Sequence, residues 1–79
     1  MKLRRIVGKN VKKCRSKNQL TQQIVAALAQ ISISYLRNIE HGNANVTINI
    51  LEKLAYSLGT DPDLLLKNLE EETELQQKP

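Results

Sequence analysis

Between Ile48 and Leu58 the apolar residues Ile48, Leu51, Leu54, Ala55 and Leu58 return every three or four positions, and Gly59 stops the series. That spacing draws one continuous apolar stripe along an α-helix, with Thr47 placed to cap its start. The stripe has to be covered by other apolar faces, and the rest of the chain offers them at the same period. Over residues 3–14, Leu3, Ile6, Val7, Val11 and Cys14 form a stripe of roughly 140°, with Lys2, Arg5, Lys9, Lys12 and Lys13 opposite and Arg15 at its flank. Cys14, on the core side, reads as a small buried hydrophobe rather than a reactive thiol. After the polar break Lys17-Asn18-Gln19, Thr21 can cap a second helix from Gln22 to Ala29, whose Val25, Ala26 and Ala29 make a narrow inward face. Ser32 can cap a third, over residues 33–41, with Gly42 as its left-handed stop. Asp61-Pro62-Asp63 supplies an N-cap, a proline for the first turn and an acid near the positive helix end, so a fifth helix should open there and carry Leu64, Leu65, Leu66 and Leu69. The expected fold class is all-α, five helices in one compact domain.

Size and composition narrow what such a bundle can do. Seventy-nine residues fit one small domain over residues 1–69, followed by an acidic tail at 70–79 that either frays or extends as helix. The core has to come from 12 Leu, 7 Ile, 4 Val and 5 Ala, since Trp and Phe are absent. One Cys excludes an internal disulfide, and one His offers no metal site, so no metal and no cofactor are expected. The longest apolar run, residues 24–29, is far too short to span a membrane, and the basic start meets Gly8 before a signal-like stretch develops. A soluble, cytoplasmic protein with no membrane partner is expected. Charge is unevenly divided: residues 1–38 carry nine Lys or Arg and no acid, whereas residues 39–79 carry three Lys or Arg and eight acids. A basic first half points to a polyanion partner.

The segment LTQQIVAALAQISISYLRNIEHG, residues 20–42, resembles the helix-turn-helix of lambda repressor/Cro-like regulators. Thr21-Gln22, Ala26, Ile31-Ser32, Leu36, Ile39-Glu40 and Gly42 stand where that pattern expects them. Gly8, Val11 and Arg15 upstream, with Thr47, Leu51, Ala55, Leu58, Gly59 and Leu64-Leu65 downstream, extend the likeness over about residues 4–66. The resemblance implies that the second and third helices form the DNA-binding unit. The residues agree: on the third helix Tyr35, Leu36 and Ile39 fall within about 100° and can face the core, leaving Ile33, Ser34, Arg37 and Asn38 on an outer side free of acids. The resemblance implies that residues at the helix start and one turn later read base edges, which makes those four the candidate base readers. Asn38 can grip an adenine edge, Arg37 can reach guanine or phosphate, Ser34 can bond several bases, and Ile33 can pack on a thymine methyl.

Thr21 and Gln22, at a helix start, are candidate phosphate contacts, joined by Lys12, Lys13, His41 and Asn43. The resemblance implies a structural ion pair between Arg15 and Glu40 that orients the third helix. Three departures from the pattern stand out. Gln30 occupies a turn position where Gly is usual, Ile33 replaces a polar residue at the start of the third helix, and Ile24, Ala27 and Leu28 lie outward on the second helix where polar residues are customary. That trio is either a partner-binding patch or scattered surface apolar residues.

Two functions compete. One is a sequence-specific transcriptional regulator, like phage repressors or restriction-modification controllers, binding double-stranded DNA at a pseudo-palindromic operator as a homodimer through Tyr56, Leu66 and Leu69. The other is an antitoxin or interaction module that docks a protein on Ile24, Ala27 and Leu28 and on the acidic tail. An enzyme is disfavoured: the chain has no Gly-rich phosphate loop, no HExxH, no Cys-x-x-Cys and no nucleophile with an evident base.

Overall fold

The computed structural model describes residues 2–68, which form five helices: α1 Lys2–Lys17, α2 Gln22–Ala29, α3 Ile33–Glu40, α4 Ile48–Leu58 and α5 Pro62–Leu65. Three of the starts are set by hydroxyl caps. Thr21 accepts from the Ile24 N–H at 3.1 Å, Ser32 from Tyr35 at 3.0 Å, and Thr47 from Ile50 at 3.1 Å. Each cap satisfies one backbone donor that the helix itself leaves unpaired.

The ends of α1 to α4 share one device. At each, a left-handed residue follows the helix: Gln19 (φ 58°), Gln30 (59°), Gly42 (78°) and Gly59 (67°). The next N–H then turns back to a carbonyl five residues earlier, Leu20 to Arg15, Ile31 to Ala26, Asn43 to Asn38 and Thr60 to Ala55, at 2.9–3.0 Å. Glycine adopts this geometry without strain, whereas the two glutamines hold it against their own Cβ.

The core gathers Val7 and Val11 of α1, Val25, Ala26 and Ala29 of α2, Leu36 and Ile39 of α3, Leu51, Leu54, Ala55 and Leu58 of α4, and Leu65 of α5. Ala44, in the α3–α4 connection, also closes over it. Helix α1 lies against α3, α4 and α5, and α2 lies between α3 and α4. Gly8 makes the α1–α3 approach feasible: a Cβ there would fall 2.1 Å from the Ile39 carbonyl oxygen, well inside contact distance with a backbone atom that cannot swing away.

Three sequence expectations need correction. Helix α5 ends at Leu65 instead of running through Leu66 and Leu69; Leu66 is its C-cap, and Leu69 lies outside the described residues, as does the acidic tail at 70–79. The cause is Asn10 on α1, whose amide donates to the carbonyls of Leu65 at 2.9 Å and Lys67 at 2.7 Å, with Leu64 at 3.4 Å. The Leu65 and Lys67 carbonyls are thereby turned to a side chain, while that of Leu64 also accepts from the Lys67 N–H at 3.4 Å. Asp61 holds the N-cap backbone position of α5 but makes no side-chain capping bond. Cys14 is half-buried rather than buried, its Sγ 3.8 Å from the Leu58 carbonyl oxygen.

Candidate nucleic-acid interface

Helices α2 and α3 are joined by Gln30, Ile31 and Ser32, with the left-handed Gln30 reversing the chain and Ser32 starting α3 at once. Burial of Leu36 and Ile39 at 0% and 1% exposure fixes the rotation of α3 about its axis. Ser34, Arg37 and Asn38 are thereby left exposed along its outer side. Ile33 is only half-exposed, because it packs on the core at the helix start. Tyr35, expected to face the core, is also half-buried, and its hydroxyl donates to the Asn45 carbonyl at 2.7 Å, tying α3 to the connection that follows it.

Behind that outer side runs a chain of polar contacts. Arg15 forms a two-pronged pair with Glu40, Nε to Oε2 at 2.7 Å and Nη2 to Oε1 at 3.0 Å, while its Nη1 donates to the Leu20 carbonyl at 3.0 Å. The two side chains are 15% and 3% exposed, so the pair is largely withdrawn from water and α1 is pinned to the last turn of α3. The hydrogen bond to Glu40, with its negative charge, raises the Arg15 pKa further above an already high value, so the guanidinium stays charged. Gln22 then donates from Nε2 to Glu40 Oε1 at 3.1 Å, and its Oε1 accepts from Arg37 Nε at 3.3 Å. The first residue of α2 therefore positions Arg37 while leaving both terminal nitrogens of that guanidinium outside the contact. Sequence reasoning missed this link. The available signal was that Arg37 and Glu40, three residues apart, are neighbours on the surface of α3.

The candidate phosphate contacts divide. Lys12, Thr21, Gln22 and His41 line one cleft of 460 Å³ beside the Arg15–Glu40 pair, at the N-terminus of α2. Lys13 lines a different depression, with Leu64 and Leu65, toward α5. Asn43 is exposed just past the end of α3. Elsewhere, Tyr56 is 86% and Leu66 41% exposed; Ile24 and Leu28, 46% and 55% exposed, stand on the outer face of α2 with exposed Ala27 between them. Among the described residues no group of three or more His, Cys, Asp or Glu could hold a metal ion, and no helix is long and apolar enough to cross a membrane.

Comparison with known proteins agrees with this arrangement. A family model of the helix-turn-helix domain matches residues 8–71. An HTH-type transcriptional regulator of Sinorhizobium fredii is 39% identical over 59 residues, 75% of this chain and 77% of that protein. The control protein C.BamHI of Bacillus amyloliquefaciens is 32% identical over 65 residues, covering 81% of this chain and 80% of its own. The crystal structure of the restriction-modification controller protein C.AhdI from Aeromonas hydrophila superposes with a TM-score of 0.76 at 29% identity, over 78% of this chain and 94% of that one.

Proposed function

We propose a mode of DNA recognition for this chain, which belongs to the helix-turn-helix domain family and is a DNA-binding transcriptional regulator, not an enzyme. Helix α3 enters the major groove with Ser34, Arg37 and Asn38 toward the base edges, and Ile33 reaches a thymine methyl from its half-buried place at the helix start. Arg37 arrives pre-oriented: Gln22 holds its Nε, and Nη1 and Nη2 form the fork that suits guanine O6 and N7. The cleft of Lys12, Thr21, Gln22 and His41 takes backbone phosphate where the free N–H groups of α2 already point, and Asn43 adds a contact beyond α3. Lys13 contributes charge at longer range.

The observation that carries this reading is the acid-free outer side of α3 braced from behind by Arg15, Glu40 and Gln22. Glu40, the only acid on α3, is turned inward and neutralised. A second copy completes the binder through Tyr56, Leu66 and Leu69, setting two α3 helices ~34 Å apart on one face of the duplex. The likeness to two control proteins supports a controller-like role, which we assign to the cytoplasm. Selection of bound sequences from random duplex DNA tests the reading: it should enrich a pseudo-palindrome with half-sites about one helical turn apart. Failure to enrich any sequence at physiological salt would reject it.

A further inference from the structure

Two features of the α4 surface fit one another. Among the described residues the most exposed large apolar side chains are Tyr56, at 86%, and Ile48, at 78%. They stand eight residues apart on α4, about 12 Å along its axis, with exposed Glu52 midway. At that spacing of four the three form a strip along one side of the helix. The second feature lies at the start of the same helix. It is a cleft of 220 Å³ lined by Leu3 and Arg4 of α1, Asn45 and Val46 of the α3–α4 connection, Leu51 of α4, and Leu66. That is smaller than the roughly 300–1,000 Å³ of small-molecule sites and suits a single side chain.

The chemistry of the cleft selects its occupant. A tyrosine ring needs apolar walls, and its hydroxyl needs a polar neighbour. Leu3, Val46, Leu51 and Leu66 supply the walls, the exposed Asn45 supplies the polar neighbour, and the exposed Arg4 offers a cation to the ring face. At 86% exposure, Tyr56 does not occupy the cleft of its own chain. A two-fold axis beside Glu52 sets two α4 helices antiparallel and carries each Tyr56 to the Ile48 end of the other, where the cleft opens. Glu52 is followed by Lys53, so two carboxylates near the axis come with two ammonium groups.

We propose that Tyr56 of one copy seats in the cleft of Leu3, Val46, Leu51 and Leu66 of a second copy, and reciprocally, so that two identical ring-in-cleft contacts close the dimer. The proposal rests on the reading of this chain as a homodimer and specifies its contact. Leu66 enters as a wall of the cleft, and Ile48 flanks the inserted ring. The seat also adjoins the DNA-reading unit. Asn45 lines the cleft, and its carbonyl accepts from Tyr35 of α3 at 2.7 Å, so each inserted ring bears on the segment that follows the other copy's reader helix.

The test is complementation between two variants of the full chain, read by sedimentation. Tyr56→Ala removes the ring and leaves the cleft, whereas Leu3→Glu, at an exposed residue near the start of α1, blocks the cleft and leaves the ring. Each variant alone lacks both contacts and should have its dimer Kd raised about 100-fold, about tenfold for each ring. An equal mixture regains one contact and should form a heterodimer about tenfold tighter than either variant alone. The parent gives a second measurement that needs no substitution. Its only aromatic rings besides His41 are Tyr35 and Tyr56, so in a sample mixed from methyl-labelled and unlabelled protein the Tyr56 ring should show NMR contacts between copies to the methyls of Leu3, Val46 and Leu66. A parent that dimerises without those contacts, or a Tyr56→Ala variant that dimerises as well as the parent, overturns the seat and leaves the homodimer standing. Two weakened variants with no gain on mixing put the ring against some other surface and also overturn it. A parent that stays monomeric at tens of micromolar, with and without DNA, removes the homodimer reading and this contact with it.

Discussion

Glu40 is the residue on which the interface turns, since its two oxygens gather Arg15 from α1 and Gln22 from α2 at the end of α3. Replacing either Arg15 or Glu40 by Ala strands its partner in a largely dry site and should cost about 3–5 kcal/mol in denaturant unfolding, with the double replacement costing less than the sum. Losses near those of an exposed pair, below about 1 kcal/mol, would mean that water screens it. Because folding raises the Arg15 pKa, the stability linked to its charge is present in full through the neutral range and is lost as pH rises through that raised value. Gly8→Ala should destabilise by about 1–3 kcal/mol despite the better helix propensity of Ala, because the new Cβ meets the Ile39 carbonyl. Gln30→Gly should do the opposite, a gain of up to about 1 kcal/mol once relief of the left-handed strain is set against the freer unfolded chain. Gln30 could be singled out from the sequence because glycine is usual at such a turn. Gln19 adopts the same geometry with no such cue, as the polar break of Lys17-Asn18-Gln19 does not say which residue turns left-handed.

At the scale of the helices, most boundaries were legible because caps are local. Thr21, Ser32 and Thr47 each act within three residues of themselves, and Gly42 and Gly59 stop their helices by backbone geometry alone. The end of α5 was not legible, because Asn10, more than fifty residues away, takes its carbonyls. Asn10→Ala should free them, cost about 1–3 kcal/mol, and speed amide hydrogen exchange in α5 more than in α4. Retained protection in α5 would show that Leu65 alone anchors it. The exposure of Ser34, Arg37 and Asn38 was legible from period alone, since burying Leu36 and Ile39 leaves few rotations open, whereas the packing of Ile33 on the core was not. The Gln22 bridge was not, as it requires knowing how the start of α2 meets the end of α3. One consequence is specific: Gln22→Ala should weaken random-sequence binding and also blur the base choice made by Arg37, whereas Lys12→Ala should weaken all sequences alike. Lys12→Ala should also reduce the magnitude of the log-affinity against log-salt slope by about 1, with Gln22→Ala leaving it nearly unchanged.

The whole molecule divides its labour across one small core. In the arrangement we propose, basic α1 and the α2–α3 unit face the polyanion, and a second copy packs on Tyr56 of α4 and Leu66 after α5, both of which are exposed. Tyr56→Asp combined with Leu66→Asp should shift sedimentation toward monomer and cost operator affinity far more than random-sequence affinity, because only the operator rewards two linked readers. A chain that sediments as a monomer at tens of micromolar, with and without DNA, would instead place recognition in single copies.

The central claim, that the exposed side of α3 reads sequence, is tested most directly by the ratio of operator to random-duplex affinity in Ala variants of that side. Arg37→Ala or Asn38→Ala should each cost about 1–3 kcal/mol on the selected operator and relax one base position per half-site. Affinity for random duplex should change little, so the ratio falls with each replacement. If Ile33, Ser34, Arg37 and Asn38 all become Ala with the ratio intact, α3 is not the reader.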